Sequence, residues 1–254
     1  MTSSNSIFVL EQLVLRDFKI RYRNMSLGVL WSLLNPLIMV GVYSFVVGVM
    51  FRNLSIPHFP LFVLCGIICY NYFTLAWTQG TYSLTANAPL FRHVALAREV
   101  IPISSVLANG IHFLMQFGLV LVFTLASGLP VTLAWFWLPV PILILVASVS
   151  GLALLFSTLD VYLRDTRYVV ESVCLVLLWL TPVFYSESMV PAKFRTLYLF
   201  NPISAAIVCF RQIVIGQRAP DFAPAQHGLI LAGALLIAGF FVFDGFKKNF
   251  GDHL

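Results

Sequence analysis

The stretch RDFKIRYRNMSLGVLWSLLNPL, residues 16–37, changes character partway along its length. Its first eight residues carry four positive charges, and the chain is then almost wholly apolar as far as Phe51. A run of about 20 predominantly apolar residues is long enough to cross a bilayer as a helix. Lysine and arginine beside such a run are typical of its cytoplasmic side. The stretch therefore predicts a first membrane span, residues 27–51, preceded by a cytoplasmic segment.

The composition of the whole chain supports a membrane protein. Of its 254 residues, 60% are hydrophobic and 10% are charged, and the mean hydropathy is +0.93. Soluble domains are roughly 45–50% apolar and about 25% charged. A water-soluble fold has too little interior for this much apolar surface, so these proportions predict an integral membrane protein.

Six segments are apolar enough to be read as spans, and together they predict an all-α bundle without an attached soluble domain. We divide this single domain, residues 1–254, into an interface segment (1–26), spans one to five (27–186), an external segment (187–227), span six (228–246) and a tail (247–254). The apolar runs are residues 27–51, 61–86, 100–127, 133–159, 168–186 and 228–243, of which the last is short and can extend to 227 and 246.

The distribution of lysine and arginine predicts the orientation of the bundle. With the N-terminus inside, the inner segments hold ten of these residues and the outer segments hold five. This excess predicts that both termini are cytoplasmic. The net charge of +5 reflects the same bias and does not indicate nucleic acid. The positive charges follow the first apolar residues instead of preceding them, so no cleaved signal peptide is expected.

The segment before the first span has the pattern of an amphipathic helix. Ile7, Leu10, Val14 and Phe18 recur at helical spacing with charged residues between them. Such a helix can lie in the cytoplasmic interface of the bilayer. In the alternative interpretation, the charges only fix the topology.

The external segment 187–227 is too long for a plain turn. Its apolar run, residues 197–215, is interrupted by Asn201-Pro202 and by Arg211. A full span here would move the C-terminus outside and spoil the charge bias. Two short re-entrant helices before the last span therefore fit better, because irregular backbone at membrane depth is tolerated where protein buries it.

Four motifs follow one another in order along the chain. A basic cluster precedes a Leu-Gly pair, a tryptophan and Asn-Pro; LDVYLRD occupies residues 159–165, TPVFY 181–185 and NPISAAIVCFRQIVIG 201–216. With these motifs the chain resembles the membrane subunit of ABC-2 type exporters of cell-surface polysaccharides. It is most similar to O-antigen export permeases, with capsule and teichoic acid permeases as relatives. The residues that match the opening pattern are Arg16, Asp17, Lys19, Arg21, Tyr22, Leu27, Gly28, Trp31 and Pro36.

The resemblance implies an ATP-driven exporter in the bacterial cytoplasmic (inner) membrane. A phosphate-binding P-loop needs Gly-Lys followed by Ser or Thr, and no lysine of this chain follows a glycine. We therefore expect no cofactor in this chain, with ATP and Mg bound by a separate ABC ATPase. The family arrangement implies a homodimer of permeases, two ATPase copies, a lipid-linked polysaccharide as cargo and contact with membrane lipid.

The resemblance also assigns roles to particular residues. The loop between spans two and three would couple to the ATPase; the alternative is an ordinary positive-inside loop. The basic cluster would attract the lipid head group or serve only as an anchor. Aromatic residues would line the pore or its lateral gate, and the re-entrant segment would form an external gate. The coupling residues are Pro89, Leu90, Phe91, Arg92, His93, Arg98 and Glu99, and the basic cluster is Arg16, Lys19, Arg21, Tyr22 and Arg23. The residues of the pore or lateral gate are Tyr43, Phe45, Trp179, Phe184 and Tyr185. The residues of the external gate are Asn201, Pro202 and Arg211.

Polar and small residues inside the spans allow two interpretations. Polar side chains in a membrane can join neighbouring helices, or they can line a hydrated, aromatic-rich passage for sugars. Small residues on one face of span one predict close helix packing. The cysteines show no metal spacing and are expected to be small core residues. The polar residues are Asn71, Thr74, Thr78, Thr81, Thr85, Asn109, His112 and Gln116; the small ones are Gly41, Ser44 and Gly48.

The sequence thus favours a non-enzymatic permease that exports a lipid-linked polysaccharide of the O-antigen type. A permease for capsule polysaccharide or teichoic acid is the alternative. A membrane-embedded lipid-dependent transferase is a weaker hypothesis, because the ten acidic residues form none of the paired-carboxylate patterns that such chemistry needs. A channel or scaffold is also a weaker hypothesis, because the sequence shows no repeated filter and no charged ring.

Overall fold

The computed structural model describes residues 3–22, 30–50, 56–89, 97–191, 193–194, 198 and 200–252. All regular elements in this part of the chain are helical, which confirms the predicted all-α class. The α-helices are α1 Ser3–Tyr22, α2 Leu30–Met50, α3 Phe59–Thr81, α4 Ser83–Ala86, α5 Val100–Ala126, α6 Pro139–Tyr162, α7 Thr166–Leu180, α8 Pro202–Val214 and α9 Phe222–Phe246. Short 3-10 turns are Leu133–Trp137, Glu187–Met189 and Lys247–Asp252.

Five helices among the described residues are long and apolar enough to cross a membrane. They correspond to predicted spans one, two, three, four and six. The last of them, α9, has 25 residues and begins six residues before the predicted apolar run. Its additional N-terminal residues include Pro224, which a helix accepts in its first turn. The five segments are Leu30–Val47, Phe59–Thr81, Val100–Ala126, Leu133–Tyr162 and Phe222–Phe246.

The helix of predicted span five ends early. The apolar run extends to Ser186, but α7 has 15 residues and stops at Leu180, so the predicted end of this span is wrong. At 1.5 Å per residue it is about 22 Å long, shorter than the hydrocarbon core of about 30 Å. The cause is Pro182, because the residue before a proline is driven out of the helical region. Thr181 accordingly has extended dihedral angles.

α3 forms the centre of the bundle. It contacts α2, α5, α6, α7 and α8, and most of its side chains are buried. α2 and α9 lie at the periphery and keep many apolar side chains exposed. This arrangement places α3 between the first span and the broken end of α7.

Both ends of the described chain lie at the same end of the bundle. Leu13 of α1 shares a buried cluster with Phe243 of α9 and Phe250 of the C-terminal turn. The side chain of Arg98, just before α5, donates to the Lys247 carbonyl. The segments predicted to be cytoplasmic therefore come together in space.

The small residues of the predicted packing face on α2 do not bring two helices together at Gly41. A Cβ added there would meet nothing within 4 Å, so the prediction of close packing is wrong for Gly41 within this chain. The closest crossing joins α6 and α9, where a Cβ on Gly239 would lie 2.8 Å from the Gly151 carbonyl carbon. The four cysteines are buried and unpaired, in agreement with their predicted role in the core.

Candidate functional site

The candidate site begins at the turn that follows α7. The Thr181 N–H makes the last bond of the helix, to the Leu177 carbonyl at 2.9 Å. The Val183 N–H then turns back to the Thr181 carbonyl at 2.7 Å. Thr181 and Val183 are fully buried. The Pro182 and Val183 carbonyls thus lie beyond the helix, in a buried position where an acceptor needs a donor from elsewhere.

Arg211 of α8 supplies those donors. Its Nη1 donates to the Pro182 carbonyl and its Nη2 to the Val183 carbonyl, both at 2.6 Å. Its Nε donates to the Phe62 carbonyl in the first turn of α3 at 3.1 Å. One planar guanidinium therefore joins α3, α8 and the turn after α7. We call this group, Arg211 with the Phe62, Pro182 and Val183 carbonyls, the arginine clasp.

The clasp holds a positive charge without a carboxylate. Arg211 is only 8% exposed, and the ion pairs among the described residues do not include it. Its guanidinium carbon lies 3.4 Å from the centre of the Phe62 ring. Carbonyl dipoles and the face of an aromatic ring thus take the place of a counter-ion. A buried charge satisfied in this way depends on all of its partners staying in position.

The clasp also requires a glycine on α3. A Cβ added to Gly66 would lie 2.7 Å from Arg211 Nη2 and 2.8 Å from the Val183 oxygen. Both distances are shorter than real Cβ contacts. Gly66 therefore lets the turn and the guanidinium approach the backbone of α3.

Asn201 connects the same turn to the start of α8. Its Oδ1 accepts from the Ile203 N–H at 3.0 Å and from the Ser204 N–H at 3.4 Å, so it caps the helix. Its Nδ2 donates to the Thr181 hydroxyl at 3.1 Å. Pro202 follows as the first helical residue, where its missing N–H is not needed. Of the predicted external-gate residues, Asn201 and Arg211 thus bond the same turn, and Pro202 begins the helix that carries Arg211.

Some of the predicted pore aromatics contact other residues of the chain through their rings or hydroxyls, and others have exposed rings. Tyr43 of α2 stacks on Phe184 of the turn, with ring centres 3.8 Å apart. The Tyr185 hydroxyl donates to the Trp179 carbonyl at 2.9 Å and also pairs with the Tyr198 hydroxyl. Phe45 and the Trp179 ring remain about 70% exposed.

An apolar cavity of about 690 Å³ opens beside these rings. It is lined by side chains that include Leu180, Tyr185, Tyr198 and Phe200. An aromatic and apolar lining of this kind suits ring stacking better than the binding of ions. The cavity borders the turn after α7 through Tyr185, and Asn201, which bonds Thr181, also lines it.

The predicted coupling segment is only partly described. Leu90, Phe91, Arg92 and His93 lie outside the described residues, and Pro89 is exposed. Arg98 is held by the C-terminal turn, where its guanidinium also lies 5.9 Å from the Phe250 ring centre. Glu99 is half-buried directly before α5.

The predicted basic cluster is also only partly described. Arg23 and the side chains of Arg21 and Tyr22 lie outside the described residues, whereas Lys19 is exposed. Arg16 pairs with Asp17 at 2.8 Å and donates to Asn87 Oδ1 at 2.8 Å. Arg16 therefore ties α1 to the end of the α3–α4 segment.

The polar residues inside the spans join helices to each other or to their own backbone. Asn109 donates to Gln79 on α3 and to the Ser105 carbonyl, and Thr85 donates to Asp160 on α6 at 2.8 Å. Thr74 and Thr81 bond carbonyls within α3. For these residues the contacts favour helix packing over a hydrated passage.

Sequence reasoning found Arg211 but missed the other members of the clasp. A charge within an apolar run signals that some partner exists. The partners are backbone carbonyls, which any residue type provides, and Gly66 resembles the other glycines of the spans. The TPVFY motif marks the turn but does not show which side chain its carbonyls bind, and Gly66 lies in no motif.

The chain is similar to known transport proteins over most of its length. The family described as "ABC-2 type transporter" matches residues 9–215. The O-antigen export system permease protein RfbA of Klebsiella pneumoniae is 29% identical over 241 residues, covering 94% of this chain and 92% of the relative. RfbA of Myxococcus xanthus is 28% identical over 248 residues, with coverages of 97% and 95%. The polysialic acid transport protein KpsM of Escherichia coli is 23% identical over 221 residues, covering 81% and 80%.

Proposed function

The chain belongs to the ABC-2 type transporter family, and from this membership we propose that it is the membrane subunit of an exporter for a lipid-linked polysaccharide of the O-antigen type. The observation that carries the proposal is the similarity to O-antigen export permeases over more than nine-tenths of both chains. The location is the bacterial cytoplasmic membrane, in keeping with five helices that can span it. The subunit moves cargo and has no catalytic role of its own.

In this proposal the turn after α7 belongs to the external gate. α8 is tied to the turn by Arg211 and Asn201, so the two move as one unit. The neighbouring aromatic cavity offers rings on which sugars can stack and from which they can leave. α2 touches the turn through the Tyr43–Phe184 stack, which connects a candidate pore helix to the gate.

The proposed assembly is a homodimer with two ATPase copies that bind ATP and Mg. One bundle of this size has little room for both a sugar chain and the walls around it, whereas two can enclose a path. Two-fold pairing is also the commonest form of homo-oligomer. We further propose that predicted span five also crosses the membrane, as α7 together with the non-helical residues that follow Leu180, which brings the number of spans to six. We also propose cytoplasmic termini, which agrees with both ends of the described chain sharing one end of the bundle.

The basic cluster of α1 has a proposed role at the membrane surface. Lys19 is exposed there, but Arg16 is engaged by Asp17 and Asn87. An exposed basic residue near an anionic surface contributes about 1 kcal/mol of attraction. Lys19 is therefore a better candidate than Arg16 for holding the anionic head group of the cargo, and Arg21 and Arg23 keep the role predicted from the sequence.

The function is tested by removing the gene and following both the polymer and its lipid-linked precursor. Loss of a permease is expected to abolish surface polysaccharide while complete lipid-linked polymer accumulates inside the cell. Loss of a lipid-dependent transferase would instead leave that polymer incomplete. Analysis of lipopolysaccharide and capsule in the same strain distinguishes O-antigen from the capsule alternative, which the similarity to KpsM supports. Normal surface polymers of every class would contradict the proposal.

The coupling prediction concerns Arg92 and His93. Replacing both by alanine is expected to reduce the amount of ATPase that co-purifies with the permease by about tenfold, because central contact residues commonly contribute 1–2 kcal/mol or more. The measurement is the ATPase-to-permease ratio after purification from membranes. Arg218→Ala, an equal loss of charge at the opposite end of the bundle, is the control. Unchanged complex yield and unchanged export in the double variant would contradict the coupling assignment.

A further inference from the structure

Pro36 interrupts the hydrogen-bond ladder of α2. Proline has no N–H, so Pro36 cannot donate to the carbonyl four residues earlier, that of Ser32. Ser32, Pro36 and Val40 form the buried row of α2. Ser32 therefore lies on the side of α2 that faces the bundle.

Gln116 of α5 replaces the missing donor. Its Nε2 lies 3.0 Å from the Ser32 carbonyl oxygen, and its side chain is 2% exposed. In a membrane, carbonyls released by a proline are satisfied by neighbouring helices. The contact is thus an interhelical hydrogen bond at the position where α2 lacks its own.

The amide of Gln116 is held by its nitrogen alone. The same Nε2 lies 3.0 Å from His112 Nε2, which accepts the second hydrogen when the imidazole proton is on Nδ1. The Oε1 of Gln116 is buried and has no hydrogen-bond partner among the described residues. A buried amide that is only partly satisfied is held less firmly than a complete network.

Much of α2 faces away from the bundle. Outside its buried row, side chains such as Leu34, Ile38 and Val42 are exposed. Towards the external end, Tyr43 stacks on Phe184. α2 is therefore hydrogen-bonded to α5 before Pro36. After Pro36 it packs on the core through Val40 and on the turn after α7 through Tyr43, so Pro36 lies between the two sets of contacts.

We infer that Gln116 is a positioning residue that latches the cytoplasmic end of α2 to α5, and that α2 bends at Pro36 when this latch releases. The bend moves the first turns of α2 away from α5 while the Tyr43–Phe184 stack keeps the external end in place. The link between this bend and export rests on the proposed function. The hydrogen bond between Gln116 and α2 can be tested without measuring transport.

The first test measures the position of α2 directly. Spin labels at cysteines replacing Leu30 and Leu114, both about 60% exposed, report the distance between α2 and α5 in the purified permease–ATPase complex. The four native cysteines are buried, so the new pair is the reactive one. Gln116→Leu is expected to lengthen and broaden this distance. Asn109→Leu, which removes a buried amide of α5 that bonds Gln79 of α3 and the Ser105 carbonyl, is expected to leave this distance unchanged.

The second test separates a latch from a simple structural bond. Pro36→Ala gives α2 an N–H that can reach the Ser32 carbonyl, so it should restore the thermal stability lost in Gln116→Leu. If α2 must bend, Pro36→Ala alone lowers export by about tenfold, equivalent to about 1.4 kcal/mol, and the double variant stays equally low. An unchanged label distance in Gln116→Leu, or full export in Pro36→Ala and the double variant, would overturn the inference. A failure of the export assignment alone would leave the distance result intact.

Discussion

Replacing Arg211 by methionine is expected to remove surface polysaccharide and to destabilise the permease. The Pro182 and Val183 carbonyls lose the donors that Arg211 gives them at 2.6 Å. Each buried acceptor left without a donor destabilises the fold by about 1–3 kcal/mol. Removing the buried charge offsets part of this loss. We therefore expect the free energy of unfolding to fall by at least about 2 kcal/mol in total. Thermal unfolding of the purified protein and surface polymer in cells are the two measurements.

Two variants separate the clasp from charge alone. Lysine keeps the charge but lacks the planar fork that reaches three carbonyls, so Arg211→Lys is expected to be intermediate. Arg218→Met removes an exposed arginine whose ion pair is local, with Asp221 at 2.7 Å, and is expected to behave like the unmodified protein. If Arg211→Met were as stable and as active as Arg218→Met, the arginine clasp would have no role in the gate.

The spans were predictable because the bilayer restricts what a chain can do. Within hydrocarbon the backbone must satisfy its own hydrogen bonds, so a long apolar run becomes a helix almost regardless of its detailed sequence. The run 61–86 thus became α3 and α4, and the run 100–127 became α5. The end of α7 escaped this reasoning, because residues 181–186 remain largely apolar. The Pro182 and Val183 carbonyls are satisfied by a side chain nearly 30 positions further along the chain.

The candidate site was predictable where a residue type is unusual for its surroundings. Arg211 in an apolar run and Asn-Pro before a helix both carry such a signal. The carbonyls of the arginine clasp do not, since every residue has one. Small-residue patterns failed for a related reason: spacing shows that a face is smooth, but not which helix will meet it. Gly41 faces open space within this chain, whereas Gly151 meets the backbone of α9.

The contact between Gly151 and the backbone of α9 makes folding sensitive to any side chain at this position. Replacing Gly151 by valine is expected to prevent α6 and α9 from packing. A Cβ at this position would collide with the Leu235 carbonyl and would lie 2.5 Å from the Leu236 nitrogen. Backbone atoms cannot rotate away as a side chain can, so the two helices must separate. Forcing extra groups into a packed contact typically costs about 1–3 kcal/mol, and backbone collision places this variant at the upper end or beyond.

The measurement is the yield and thermal stability of the permease in membranes, and α9 offers a matched control. A Cβ added to Gly233 would meet nothing within 4 Å. Alanine there is therefore expected to be neutral or slightly stabilising, since alanine favours a helix over glycine by about 1 kcal/mol. Gly239→Ala, on the other side of the crossing, should resemble Gly151→Val because its Cβ would strike the Gly151 carbonyl group. Normal yield and stability of both crossing variants would mean that α6 and α9 do not pack through these two glycines.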